Sequence, residues 1–303
     1  MLNNGLILPG DLLDSVSPIN WENPLNGGLI ADYAATGGGL LLKNLAGNVN
    51  GTLVNNPLWL GTSIRLNGSN YVRVENNSAL NPTYITLASF VKTDVILGLP
   101  QHILCKNAAS GWTSPYATYC LRFNATTNSV QGWINNFSNN VETFIRPVAN
   151  RWYHLVLTFD GLNIKIYVNG EIAATRSLVG TIDSSSFPLL IGAANPSNIE
   201  GLVGELSESA IWGRAITKSE VANLYEEVLS GNPNRWNWIN TRTFSLPLTT
   251  PAVAVLDGPC PGTPRDAWTG NQSRSYSVTA GDVVLVKLSG TDFTADVTAT
   301  FTP

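Results

Sequence analysis

The chain has 303 residues and a net charge of −4, and only 13% of its residues are charged, about half the usual share for a globular protein. No cluster of Lys and Arg offers the cationic footprint that nucleic acid requires, and no apolar run approaches the roughly 20 residues of a membrane-spanning helix. A surface carried by Asn, Ser, Thr and Gly suits an extracellular β-protein or a subunit covered by neighbours, because interface centres are depleted in charge.

Residues 1–24 read as an extended docking arm, with Leu6, Ile7, Leu8, Leu12 and Leu13 among turn formers as candidate assembly contacts. The arm lacks a basic n-region, and Pro9, Gly10 and Asp11 interrupt its apolar pieces, so it does not read as a secretory signal peptide. From residue 25 to 150 short strands alternate with punctuation such as Asn55-Asn56-Pro57 and Asn76-Asn77, the density an antiparallel sandwich produces. Residues 103–106 and 118–123 form one hairpin with a long tip, and 131–136 is the following strand.

In the next stretch Trp152, His154, Val156 and Thr158 point to one side of a strand, and Tyr153, Leu155, Leu157 and Phe159 to the other. Both faces of that strand are therefore predicted to be covered. Residues 164–168 end in Asn169-Gly170, the pair that best tolerates the positive φ angles of a two-residue turn, and 171–175 folds straight back. Strands over 188–192 and 201–212 follow. Thr217 and Glu220 then form a capping box, Val221, Leu224, Tyr225 and Val228 form one helical stripe, and Gly231 with Pro233 stops the helix.

Residues 232–262 read as a Pro-rich linker, since Pro247, Pro251, Pro259 and Pro261 break regular pairing. In the C-terminal piece, 263–303, strands are predicted over 273–278, 282–288 and 295–301, with Val283 and Leu285 as further assembly contacts. Three strands make a poor independent domain. This tail therefore completes a small β-module with the linker, or adds strands to another subunit.

The runs WYHLVLTFDG, IYVNG, LLIG and GLVGELSESAIWGRAITKSEVANLYEE, with Gly28–Tyr33, Asn50–Thr52, Ile64–Val72 and Ile85–Lys92 upstream, resemble a laminin-G-like domain of the concanavalin A-like lectin/glucanase superfamily. The resemblance spans 25–231. It implies an all-β jelly-roll sandwich of two antiparallel sheets, with one short helix near 217–229. It also implies that Cys105 and Cys120 lie on neighbouring strands, as a disulfide or as buried thiols, and it allows Ca2+ at the rim. No other cofactor is implied. Proteins of this layout occur among bacteriophage structural genes.

A glycoside hydrolase needs two carboxylates about 5 to 9 Å apart, which family enzymes supply from an E-x-D-x-x-E strand. That pattern is absent here, and Glu205 and Glu208, at odd spacing, are predicted on opposite faces of their strand. His102 and His154 have no nucleophile at catalytic spacing and read as structural. Asp94, Asp160 and Asp183 are loop acids that do not cluster for calcium. The best glycan surface combines Trp112 and Tyr116 with Asn135 and Asn136, aromatic faces beside amides. Trp133, Trp152 and Trp212 read as core.

Three cysteines are too few for a disulfide scaffold and leave one unpaired, which points to synthesis in a reducing cytosol. The resulting expectation is a non-enzymatic structural or adhesive subunit without a signal peptide, at a virion surface as a bacteriophage capsid decoration or head fibre. Its partners would be other subunits of the particle or copies of itself, with polysaccharide as a further ligand. A carbohydrate-binding module at a bacterial surface is the second reading, and a glycoside hydrolase the third.

Overall fold

A computed structural model describes residues 19–35, 39–60, 63–94, 98–109, 113–195 and 200–229, together with the backbone of five short strands farther on. Two units emerge, and residues 19–225 form the first. Its strands are β1 (Leu29–Ala34), β2 (Leu41–Leu42), β3 (Gly51–Val54), β4 (Leu58–Trp59), β5 (Ile64–Asn67), β6 (Tyr71–Val74), β7 (Ile85–Thr93) and β8 (Gln101–Asn107). There follow β9 (Ala117–Phe123), β10 (Val130–Ile134), β11 (Val141–Glu142), β12 (Trp152–Phe159), β13 (Asn163–Val168), β14 (Glu171–Ser177), β15 (Leu189–Ile191) and β16 (Val203–Trp212), and then helix α1 (Lys218–Leu229) begins.

Among the described residues these strands make two sheets of eight. The first runs β14-β13-β12-β7-β16-β5-β4, with β1 also on β16, and the second runs β11-β10-β9-β8-β15-β6-β3-β2. Pairings are antiparallel, and neighbours distant in the chain, such as β7 with β16 and β8 with β15, make the order that of a jelly roll. The core lies between the sheets. Leu87, Val91, Leu155, Leu157 and Ile211 of the first belong to one buried cluster with Leu104, Leu121, Val130, Ile134 and Leu189 of the second.

Strand β12 behaves as its alternation requires: Tyr153, Leu155, Leu157 and Phe159 join the core, while His154, Val156 and Thr158 are buried on the outer face. That outer face is covered by the helix. His154 stacks on Phe90 at 4.4 Å and under Tyr225 at 6.0 Å between ring centres. Trp152, expected in the core, is instead 39% exposed. It pairs with Lys92 one row beyond the Phe90–His154 pair, and the Lys92 ammonium lies 5.3 Å from its ring centre.

The capping box forms: the Thr217 N–H donates to Glu220 Oε2 at 2.7 Å, and the Glu220 N–H donates to Thr217 Oγ1 at 3.2 Å. Arg214 fixes the same carboxylate through both of its terminal nitrogens, at 3.0 and 2.6 Å. Val221 and Leu224 are buried against the sheet, whereas the side chain of Val228, and Gly231 and Pro233, lie outside the described residues. Thr217→Ala should cost about 1 kcal/mol, read as a fall in Tm of roughly 2–4 °C for a domain of this size.

Asn169 and Gly170 take φ of 52° and 85°, the positive pair that a two-residue hairpin needs. Of eight non-glycine residues with positive φ among those described, six are asparagines. Asparagine tolerates that region better than other L-residues, so much of the chain's Asn content serves its turns.

Two strands carry bulges that change which side chains share a face. In β16 Leu206 stands opposite Val91 and Glu208 opposite Phe90, which makes Ser207 an extra residue. Glu205 pairs with Lys92, two positions from Phe90, so Glu205 and Glu208 lie on one face and not on opposite ones. Simple alternation fails here because a bulge inserts one residue into the count. In β8 Ile103 is extra between His102, opposite Arg122, and Leu104, opposite Leu121.

The later strands are β17 (Phe244–Leu246), β18 (Val253–Leu256), β19 (Pro264–Trp268), β20 (Val286–Leu288) and β21 (Val297–Ala299). β17 pairs with β21, and β18 lies between β19 and β20. The stretch read as a linker, 232–262, thus contains two paired strands. They fit between the prolines: β17 stops before Pro247, and β18 starts after Pro251 and stops before Pro259. β20 and β21 fall inside the predicted strands 282–288 and 295–301. Residues 273–278, Val283 and Leu285 lie outside the described residues, as do Leu6, Ile7, Leu8, Leu12 and Leu13.

Candidate functional site

The outer face of the second sheet carries two rows of side chains that are unusual for an exposed surface. Register places His102, Arg122, Gln131 and Glu142 side by side across β8, β9, β10 and β11. The neighbouring row is Cys105, Cys120 and Trp133. All of these except Glu142 are buried, with Tyr116, Phe137 and Glu200 packed over them.

Arg122 anchors the face. Its guanidinium lies 5.0 Å from the Trp133 ring centre and 5.1 Å from that of Phe137, a cation packed against two aromatic rings. Its Nε donates to Gln131 Oε1 at 2.9 Å, and its Nη1 lies 3.8 Å from Glu200 Oε2. Gln131 Nε2 in turn donates to Glu142 Oε2 at 2.9 Å. Burial alone would raise the Glu142 carboxyl, but hydrogen bonds from Ser129, Thr127, Asn124 and Gln131 outweigh it and hold the group below the usual carboxylate range.

His102 stands edge-on to Trp133 at 6.1 Å, with Nδ1 3.5 Å from Glu200 Oε2. Burial, and then the Arg122 cation, push the imidazole well below its ordinary range, so His102 is neutral at physiological pH. Its hydrogen-bonding contact is with the Glu200 backbone oxygen, 3.4 Å from Nδ1, and its approach to the carboxylate is not an ion pair.

The rim of this face is aromatic. Phe137 packs edge-on against Trp133 at 5.3 Å and against Tyr116 at 6.4 Å, and it is 37% exposed. Tyr116 and Glu200, at φ of 69° and 39°, are the two non-asparagine residues in the positive-φ group. Both border this face, where backbone strain of that kind tends to collect.

Of the residues predicted to hold a glycan, Trp112 lies outside the described residues. The structure brings Tyr116 and Asn136 together: Asn136 Nδ2 donates to Ser114 Oγ at 3.4 Å beside Tyr116, while Asn136 Oδ1 accepts from the Ser138 N–H at 2.9 Å. Asn135 faces elsewhere. Its amide donates to Thr181 O and accepts from the Asp183 N–H, both at 2.8 Å, tying its loop to the 181–183 segment. Sequence reasoning passed over Phe137 and Arg122. An aromatic residue alone among Asn135, Asn136, Asn139 and Asn140 was the available signal for the first; Arg122 gave none, because its partners come from β10, the turn after it and the segment at Glu200.

The acids weighed for other chemistry are engaged. Glu205 accepts from Ser63 Oγ and Arg65 Nη1, both at 3.0 Å, and pairs with Lys92 Nζ at 2.8 Å. Glu208 is buried on the same face. Asp94 pairs with Arg65, and Asp160 accepts the Leu162 and Asn163 N–H groups at 2.9 and 2.7 Å.

A profile of the concanavalin A-like lectin/glucanases superfamily matches residues 66–222, just over half of the chain. No curated protein sequence matches. Among solved structures, the sialidase of Trypanosoma rangeli in complex with sialic acid superposes with a TM-score of 0.55 at 15% identity, over 67% of this chain and 33% of that one. The chain therefore spans about a third of that enzyme. Domain 4 of AbnA, an extracellular arabinanase from Geobacillus stearothermophilus, in complex with arabinotriose, gives a TM-score of 0.52 at 18% identity, over 65% of this chain and 98% of that one. The binding domain of Paraclostridial Mosquitocidal Protein 1 gives 0.52 at 16% identity, over 75% and 61%. At such identities the likeness is one of fold.

Proposed function

The chain belongs to the concanavalin A-like lectin/glucanases superfamily, and on that premise we propose that it is a non-enzymatic adhesive module that binds glycans at the Tyr116–Phe137 rim. The observation that carries this reading is the half-exposed Phe137 beside Tyr116, backed by Arg122 and Trp133. The face of a rigid aromatic ring suits the apolar face of a sugar ring, and the surrounding amides and hydroxyls supply hydrogen bonds. The rim is fixed from behind as well, since Arg176 Nη1 donates to Ser138 O and Asn140 O at 2.8 and 2.7 Å.

Support for a role without catalysis comes from the two acids that share a face. Glu205 is committed to Ser63, Arg65 and Lys92, and both Glu205 and Glu208 are buried, which is poor ground for general acid and base work on a polysaccharide. The finer reading places the module on a larger assembly, a bacteriophage particle as capsid decoration or head fibre, fastened by 1–24 and 263–303. It rests on the 13% charged content and on the family resemblance.

A glycan array, followed by calorimetry with arabino-oligosaccharides and sialosides, tests the binding. Phe137→Ala should weaken whatever saccharide binds by about tenfold, ~1.4 kcal/mol, with a fall in Tm of a few degrees from its lost contacts with Trp133 and Tyr116. An array on which no saccharide binds would remove the reading. Light scattering on the full chain addresses assembly, where a strict monomer at all concentrations would count against self-association.

A further inference from the structure

Beneath the aromatic rim, the same sheet face buries three soft-donor side chains. His102, Cys105 and Cys120 are each fully buried, and their ligating nitrogen and sulfur atoms all lie within 4.8 Å of one another. Cys105 and Cys120 are direct partners across the β8–β9 pair, and both are unbonded thiols. His102 shares their face only because Ile103 is an extra residue in β8. Without that bulge, a spacing of three would turn the imidazole to the opposite side.

We propose that His102, Cys105 and Cys120 form a binding site for a thiophilic d10 metal ion, Zn2+ or Cu+. Two thiolates and one imidazole are the donor set such ions prefer. With bond lengths of about 2.3 Å to sulfur and 2.0 Å to nitrogen, donors around zinc stand roughly 3.5 Å apart. Small side-chain rotations close the present separations to that value. Glu200 Oε2, 3.5 Å from His102 Nδ1, lies beside the imidazole and outside the trio, so Cu+ is satisfied by the three, whereas tetrahedral Zn2+ would take its fourth donor from that carboxylate swung inward or from a water.

Charge favours occupancy. The thiols release two protons on binding, and the two thiolates cancel a divalent ion. Arg122 and Glu200, 3.8 Å apart, cancel each other. With Zn2+ the buried site thus carries no net charge and with Cu+ a single negative one, so the desolvation cost that opposes an isolated buried ion is largely avoided for the divalent ion.

The test uses the full chain, purified with a phosphine reductant and no chelator. Co2+ should bind at one ion per chain with a thiolate-to-cobalt charge-transfer band, and Zn2+ should displace it and raise Tm. A parallel titration with Cu+ against a Cu+ chelator tells which ion the site takes. Cys120→Ser and His102→Gln should weaken binding by more than the 10–100-fold cost of losing a mere outer partner, while Cys260→Ser leaves it unchanged. Because the first two variants risk misfolding, the wild-type cobalt spectrum is the deciding readout. A spectrum without the charge-transfer band, together with no Cu+ taken from the chelator, overturns the proposal, and so does a Cys105–Cys120 disulfide in native protein that takes up no ion.

Discussion

Gly204→Ala is expected to destabilise the sandwich by about 3 kcal/mol, the upper range for forcing extra volume into a packed interior, and to lower Tm by roughly 6–12 °C. Gly204 lies in β16 between β5 and β7, opposite Leu66 on one side and Thr93 on the other. A Cβ added there would stand 2.0 Å from Lys92 O and 2.8 Å from Thr93 Cα. Those are backbone atoms in the middle of a sheet, and no rotamer change relieves them. The strand must move, and with it Val203, whose N–H donates to Gln101 Oε1 at 2.9 Å, and Thr93, whose hydroxyl reaches the same oxygen at 3.2 Å. Gly213→Ala is the control. Its Cβ would meet Ile30 Cγ2 at 3.5 Å and Pro82 Cβ at 3.8 Å, ordinary contacts, so its melt should stay close to wild type. Equal melting of the two variants would show that the β7–β16 approach is looser than these distances imply.

The same close pairing shows why some features are legible in the sequence and others are not. Alternation in β12, the Asn169-Gly170 turn and the Thr217–Glu220 box are local: each is decided by residues within a few positions, and each folds as its chemistry requires. The site depends on non-local register. Ile103 and Ser207 each add one residue to a strand, and each brings together side chains three positions apart that parity would separate, His102 with Cys105 and Glu205 with Glu208. No composition signal marks either bulge. Arg122 is equally silent, because its place against Trp133 and Phe137 depends on a loop folding over the sheet. The Asn-rich tips suggest ligand-binding amides, yet Asn135 commits both ends of its amide to the 181–183 segment, and six asparagines among the described residues serve as positive-φ turn residues.

Lys106 is another residue whose setting only the fold discloses, and it gives the clearest pH dependence. It pairs with Tyr119 and Leu189, so its side chain enters the core side of the second sheet, and it is fully buried. Its ammonium donates to Asn76 Oδ1 at 2.8 Å, to Ser185 O at 2.9 Å and to Phe187 O. These are three neutral oxygens, and none is a carboxylate. Burial therefore pushes the ammonium down to about 8. Between pH 8 and the value near 10.4 of an unfolded chain, the unfolded state holds a proton that the folded state has lost. Stability contributed by this group then rises with pH, by at most ~3 kcal/mol at 1.36 kcal/mol per pH unit. Three other groups oppose the trend. Burial raises the Cys120 thiol and the Tyr33 and Tyr119 phenols, so the unfolded chain sheds their protons first and stability falls as pH rises. The contribution of Lys106 is accordingly read as a difference. Urea midpoints of wild type and Lys106→Met, measured from pH 7 to 10, should diverge upward for wild type above pH 8, because methionine fills the same channel without a titrating group. Parallel curves would mean that the three oxygens hold the ammonium charged throughout, their hydrogen bonds having outweighed the burial.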